Sequence, residues 1–251
     1  MPDFVLSGFR LTIENMRNRS TVHEVLIAVF QVRSFGAGRA PELAVLLWQR
    51  AKDPEKGTWS LPGGVLEDDE DLSTSAHRQL AVKVDVRDVA HLEQLSIFSD
   101  PNRVPGARRI ASNFLGLVPF YADPTLPPDT AWHPVATLPE ASFDHGTVVS
   151  HARNRLIAKL SYTNIGFALA PVEFAMSTLR EIYSAALGYH VDATNLQRVL
   201  GRRKVIETTG RTSPSGKAGG RPPALYRFAE SSLRVTDEFA ALRPPNQTLL
   251  D

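Results

Sequence analysis

Two groups of residues in this chain have types and spacing suited to chemistry. The first is acidic and arginine-bearing. From Leu61 the sequence reads LPGGVLEDDEDLSTSAHRQLAVKVDV: a Pro-Gly-Gly turn, an acidic run from Glu67 to Asp71, then a segment containing Arg78. Carboxylates on a loop can hold a hard divalent cation through their oxygens, with Glu70 heading the set. The same run also fits a solvated loop whose acids sit at the positive end of a helix. Arg50, Arg108 and Arg109 carry guanidinium forks that match phosphate oxygens, so they are candidates for contacts to a diphosphate and equally suit an ordinary surface. Phe114 and Trp132 offer rings to a nucleobase or to the core. Asp144 and His145 are adjacent but have no third catalytic partner nearby in sequence and read as structural.

The second group is basic. Between Arg198 and Arg227 stand eight cations, Arg198, Arg202, Arg203, Lys204, Arg211, Lys217, Arg221 and Arg227, against one acid, Glu207. Such clustering is the electrostatic footprint of a nucleic-acid reader. Asn195 and Gln197 add amides able to read adenine edges in a major groove. A run of cations alone also describes a solvated face, so what decides is the elements that carry it.

Those elements follow from periodicity and turn chemistry. Val25–Val32 and Leu43–Trp48 are apolar and β-branched and predict two buried strands joined by a Gly-containing loop. Trp59, Leu61 and the Pro62-Gly63-Gly64 turn then lead into a helix with Ala76, Leu80 and Val84 on one face. Ala90–Phe98 and Ile110–Tyr121 supply further strands, the Pro-rich stretch after Tyr121 predicts a loop, and Val148–Leu160 predicts a helix. A connection over 162–172 precedes an amphipathic helix at Thr178–Leu187, closed by Gly188. Asp192 is placed to cap a second helix with Leu196, Val199 and Leu200 inward. Short strands at Val205–Thr209 and Leu225–Phe228 bracket GRTSPSGKAGGRPPA, whose glycines and prolines predict a loop. Helix, turn, helix, strand, loop, strand is the order of a winged helix-turn-helix. One helix would enter a groove while Arg211, Lys217 and Arg221 on the loop reach the backbone.

Composition narrows the classes. The chain has 251 residues, 43% of them apolar, with 28 Lys plus Arg against 27 Asp plus Glu. That balance hides an asymmetry: residues 1–150 hold 14 basic and 19 acidic side chains, whereas 151–251 hold 14 and 8. An acidic front and a basic back predict two units. Zero cysteines exclude disulfides, thiolate metal sites and thiol nucleophiles. No apolar run approaches the roughly 20 residues of a membrane span, and MPDFVLSGFR lacks the basic start and apolar run of a leader, so a cytoplasmic protein with no membrane partner is expected.

The stretch from Leu61 resembles the Nudix box, G-x5-E-x7-R-E-U-x-E-E-x-G-U with U apolar, on Gly64, Glu70, Arg78, Leu80 and Val86. The resemblance implies a fold that binds nucleoside diphosphates and, in its hydrolases, Mg²⁺ on a helix face of glutamates. This chain departs from the pattern there: those positions hold Gln79, Val82 and Lys83, and the second glycine is Asp85. Offsets of three and four place 79, 82 and 83 on one face, which then carries no anion. An ammonium about 4 Å from a divalent ion at an effective dielectric near 20 would be repelled by about 8 kcal/mol. No catalytic residue, metal or cofactor is therefore expected, although a site that does not cut can still bind.

Taken whole, the sequence resembles the Nudix-related transcriptional regulators of NAD metabolism, the NrtR family. The matching positions include Phe143, Asp144, His145, Tyr162, Leu179, Tyr183, Leu187, Gly188, Asp192, Asn195, Gly220, Arg221, Pro222, Leu225 and Tyr226. The resemblance implies an α+β chain: a degenerate Nudix domain over 1–160, a mixed sheet sandwiched by helices, and a winged helix-turn-helix over 161–251. It further implies a homodimeric regulator, usually a repressor, of NAD biosynthesis or salvage genes on a palindromic DNA operator. The implied effector is ADP-ribose or a related nucleotide, which releases DNA. The alternative is an active Nudix ADP-ribose pyrophosphatase that uses Glu70, with an accessory C-terminal domain.

Overall fold

A computed structural model describes residues 21–213 and 222–237 of the chain. Its centre is a seven-stranded mixed sheet. β1 (Val22–Arg33), β2 (Glu42–Gln49), β3 (Trp59–Ser60), β5 (His91–Phe98) and β6 (Arg109–Leu117) lie in the order β3-β2-β1-β6-β5. β4 (Gly63–Val65) pairs with β1, and β7 (Thr130–Pro134) pairs with β2. β1 and β6 run parallel, Leu26 opposite Asn113, and the other pairs are antiparallel.

Alternation along β1 sorts the two faces of the sheet. Val25, Ile27 and Val29 point to one side with Leu46, Phe114 and Val118, and meet Ala76, Leu80 and Val84 of α1 (Leu72–Val84). Leu26, Ala28, Phe30 and Val32 point to the other with Val45, Leu47 and Leu115. There they meet Val148, Ala152 and Leu156 of α2 (His145–Tyr162) and Leu179, Ile182 and Tyr183 of α3 (Met176–Leu187). A helix of the basic half thus packs on β1 and β2, and one apolar cluster continues to Leu196 and Leu200 of α4 (Ala193–Arg202).

The remaining strands form a second sheet: β8 (Phe174–Ala175), β10 (Ala224–Phe228) and β9 (Ile206–Thr212), in the order β8-β10-β9. Local chemistry sets the helix ends. Asp71 caps α1 by accepting from Thr74 N at 2.7 Å, and Asp192 caps α4 by accepting from Asn195 N at 2.7 Å. Gly188 ends α3 in the left-handed region at φ 81°.

Three sequence expectations change. Residues 162–172 are more than a connection: a 3-10 turn at Ile165–Ala168 buries Ile165, Gly166, Ala168 and Leu169 in the core. β9 extends to Thr212, further than Thr209, because Gly210 accepts φ 73° within the strand. β7, hidden in sequence beside a Pro-rich loop, adds an edge to β2.

Candidate functional site

A cleft of about 220 Å³ opens where the start of β1, β4, the end of β2 and the start of α2 converge. Its lining includes Glu24, Arg50, Gly63, Gly64, Arg109, Phe143 and His145. The glycines let the chain pass close: a Cβ on Gly63 would stand 2.3 Å from Val25 O, and one on Gly64 2.5 Å from the Gln79 amide. Arg50 lays its guanidinium over the Phe143 ring, 4.8 Å from the centroid, while its Nε donates to Pro54 O at 2.9 Å. Phe143 adopts φ 51°, a costly conformation for a bulky residue, and its N–H donates to Glu55 Oε2 at 3.0 Å.

His145 is held by its neighbours. Its Nδ1 accepts from Leu61 N at 3.0 Å, which leaves the ring proton on Nε2. Burial pushes its pKa down to about 4, so the imidazole is neutral at pH 7. Asp144 makes no side-chain cap to α2. Instead Arg103, whose side chain is 1% exposed, donates to Asp144 Oδ2 from Nε at 2.8 Å and to Oδ1 from Nη2 at 2.7 Å. The same guanidinium pairs with Glu24, whose other oxygen faces Arg109 at 3.3 Å. Burial works against the charge of Arg103, but the hydrogen bonds of Asp144 and Glu24 outweigh it and raise its pKa.

Of the five residues expected at the ligand, Arg50 and Arg109 share this cleft and the other three do not. Glu70 is taken by Arg78, which donates to it from Nε at 2.8 Å, and that hydrogen bond is the largest cause of its lowered pKa of about 2. Phe114 is a core residue, 4% exposed beneath α1. Arg108 lies outside the cleft lining, with a buried Nη1 that has no hydrogen-bond partner among the described residues. Sequence reasoning missed Glu24 and Arg103, and named Phe143 as a family position without placing it at the ligand. The family resemblance at Phe143, Asp144 and His145 marked this segment, whereas Arg103 sits in a loop without periodicity.

The helix face that carries glutamates in a Nudix hydrolase does not fit a divalent cation here. Gln79 is buried, and its amide can donate to Gly63 O at 3.1 Å and accept from Arg78. Val82 is 73% exposed, and Lys83 places Nζ 5.0 Å from the Trp48 ring centroid. Among the described residues no group of three or more His, Asp or Glu is arranged to hold a metal.

On α4, Asn195, Gln197, Arg198 and Arg202 are exposed along with Lys204 just beyond it. Arg198 donates to Asn195 Oδ1 at 2.7 Å, and Gln197 donates to the Tyr226 hydroxyl at 2.9 Å. Lys204 turns at φ 54°. Arg203 differs from its neighbours: its side chain is 14% exposed, with Nη1 donating to Ser161 O at 2.7 Å and Nη2 to Asp237 at 2.5 Å. These bonds tie it to the last turn of α2 and to Asp237. Arg211 on β9 is exposed but paired with Glu173, and Lys217 and Arg221 lie outside the described residues.

Residues 25–151 match the NUDIX domain, and 166–228 match the NrtR DNA-binding winged helix domain. The chain is 34% identical over 197 residues to the ADPR responsive transcriptional repressor NtrR of Acinetobacter baylyi, covering 75% of this chain and 76% of that protein. This chain belongs to the NrtR family.

The crystal structure of Shewanella oneidensis NrtR superimposes with a TM-score of 0.67 at 26% identity, over 82% of this chain and 93% of that one. The same protein complexed with a 27mer DNA gives 0.67, covering 82% and 92%. A MutT/nudix family protein from Enterococcus faecalis shares the fold, with a TM-score of 0.64 at 21% identity over 90% of this chain and 94% of that one. The segment matched to the NrtR winged helix domain contains α3 and α4 in succession and the three-stranded sheet β8-β10-β9. None of the helices in the described residues is long and apolar enough to cross a membrane.

Proposed function

We propose that this chain is a DNA-binding repressor of NAD biosynthesis or salvage genes. It acts as a homodimer on a palindromic operator and is released by ADP-ribose or a related NAD-derived nucleotide. Residues 1–160 form the effector half and 161–251 the DNA-reading half. The observation that carries this reading is that a cleft bearing Arg50 and Arg109, with no metal-holding carboxylate group among the described residues, shares one continuous core with a winged helix that exposes Asn195, Gln197, Arg198 and Arg202. Arg50 and Arg109 supply cationic forks for a diphosphate, the Arg50–Phe143 stack supplies an apolar wall, and exposed α4 supplies groove contacts.

The reading predicts that an operator duplex selected from a random library binds tightly in fluorescence anisotropy. Saturating ADP-ribose should weaken that binding by about 5- to 150-fold, the span of ordinary allosteric coupling. Unchanged affinity in the presence of bound nucleotide removes the switch. The cleft also binds without cutting: incubation with Mg²⁺ and ADP-ribose releases no AMP above background. Rapid AMP formation would make the chain a hydrolase.

A further inference from the structure

The cleft and the DNA-reading helix meet the two ends of one helix. At the start of α2, Asp144 gives both carboxylate oxygens to Arg103 rather than capping the helix, and Arg103 also holds Glu24 on β1. Glu24, Phe143 and His145 line the cleft, so the first turn of α2 is one of its walls. At the other end, Ser161 O accepts from Arg203, the residue that follows α4, and Arg203 also pairs with Asp237. Tyr162 O accepts from Thr236 N at 2.8 Å and Asp237 N at 3.1 Å, which clamps the same turn. The 18 residues of α2 span about 27 Å at 1.5 Å per residue.

We infer that α2 is the lever joining cleft occupancy to the DNA-reading helix, with Arg103 and Arg203 as the positioning residues at its two ends. The physical step is a competition between anions. Arg109 lines the cleft and faces Glu24 Oε2 at 3.3 Å. A diphosphate entering beside them repels Glu24 and draws Arg109 to itself. The carboxylate of Glu24 is then left to Arg103, whose guanidinium is already shared with Asp144. A shift of that buried group moves the start of α2, because a bidentate pair fixes both partners in distance and angle. The far end carries the movement to Arg203, and so to the end of α4 and its exposed Asn195, Gln197, Arg198 and Arg202. The packed core makes this displacement a rigid one, since close-packed side chains transmit strain.

This inference rests on the proposed effector response, and the experiment separates the two. The full chain is compared with Arg203→Gln, Arg203→Lys, Arg103→Lys and the Arg103→Lys/Arg203→Gln double variant. ADP-ribose affinity is read by calorimetry, and operator affinity by anisotropy with and without saturating ADP-ribose. Arg203→Gln is expected to bind ADP-ribose within about twofold of the parent while the release by nucleotide falls at least fivefold. Arg203→Lys, which can reach one of its two acceptors, recovers part of that release. Arg103→Lys lowers the release from the opposite end, and it carries the test if Arg203→Gln loses the operator. The double variant falls no further than the deeper single one, because both act on one path. Release that stays at the parental factor in variants binding both nucleotide and operator overturns the inference, as do two losses that simply multiply, the behaviour of distant independent residues. If nucleotide fails to release the parent protein, it is the proposed function that fails.

Discussion

At the scale of single residues, the cleft is governed by where protons and charges are held. His145 illustrates this because its ring is buried and its Nδ1 serves as an acceptor for Leu61 N. Its pKa falls from 6.5 to about 4 because burial disfavours the imidazolium. Below pH 6.5 the unfolded chain takes up a proton that the folded ring refuses, so stability declines as pH falls from about 6.5 to about 4. The loss over that window is about 3 kcal/mol. His133, also lowered by burial, contributes in the same direction. Glu70 acts lower on the scale: its carboxylate stabilises the fold above its ordinary value of 4.5, and that contribution is lost as pH falls toward about 2. Urea unfolding of the parent at steps from pH 7 to pH 4.5 should therefore show a decline that His145→Asn flattens, since the Asn oxygen can stand in for Nδ1 without titrating. Identical pH profiles for parent and variant would reassign the decline to other groups.

Elements were legible in the sequence wherever a period or a capping residue marked them. The continuous β-branched, apolar run of β1, four-residue spacing in α1, Asp192 before α4 and Gly188 after α3 each led to the element observed. β7 was not legible, since Thr130–Pro134 gains strand character only from pairing with β2. The cleft was half legible: Arg50 and Arg109 were visible as cations, whereas Arg103 acquires its role from Glu24 and Asp144, which lie 79 and 41 residues away in sequence. The cations of α4 show the opposite limit, because Arg202 and Arg203 are adjacent and identical in type yet only Arg202 faces solvent. That difference predicts their salt dependence. Each phosphate contact contributes about 0.9 to the slope of log affinity against log salt. Arg202→Ala, and likewise Arg198→Ala, should reduce the operator-binding slope by about one. Arg203→Ala should leave that slope unchanged, because its Nη1 and Nη2 are committed to Ser161 O and Asp237. An equal loss of slope from Arg203→Ala would return it to the set of backbone contacts.

Over the whole molecule, the separation of charge and the shared core belong to one design. The acidic first 150 residues repel the duplex while the basic remainder is drawn to it, which orients the approach before any groove contact forms. α3 packs on β1 and β2 with α2 beside it, so the winged helix is seated on the sheet that builds the cleft. A reader fixed to its sensor in this way places two recognition helices at a set separation when two copies pair. Half-sites read from one face of B-DNA stand about 34–36 Å apart, one helical turn or a multiple of it. The homodimer reading therefore makes a phase prediction. Inserting five base pairs between the half-sites of the selected operator turns one of them to the opposite face, so affinity should fall to that of a single half-site. Ten inserted base pairs restore the face but lengthen the span, and should recover binding only if the seat of the winged helix on the sheet gives way. Gel-shift titrations of the three duplexes, with sedimentation showing whether the complex holds two chains of 27.6 kDa, decide the matter: indifference to the five-pair insertion would mean that each chain reads its half-site alone.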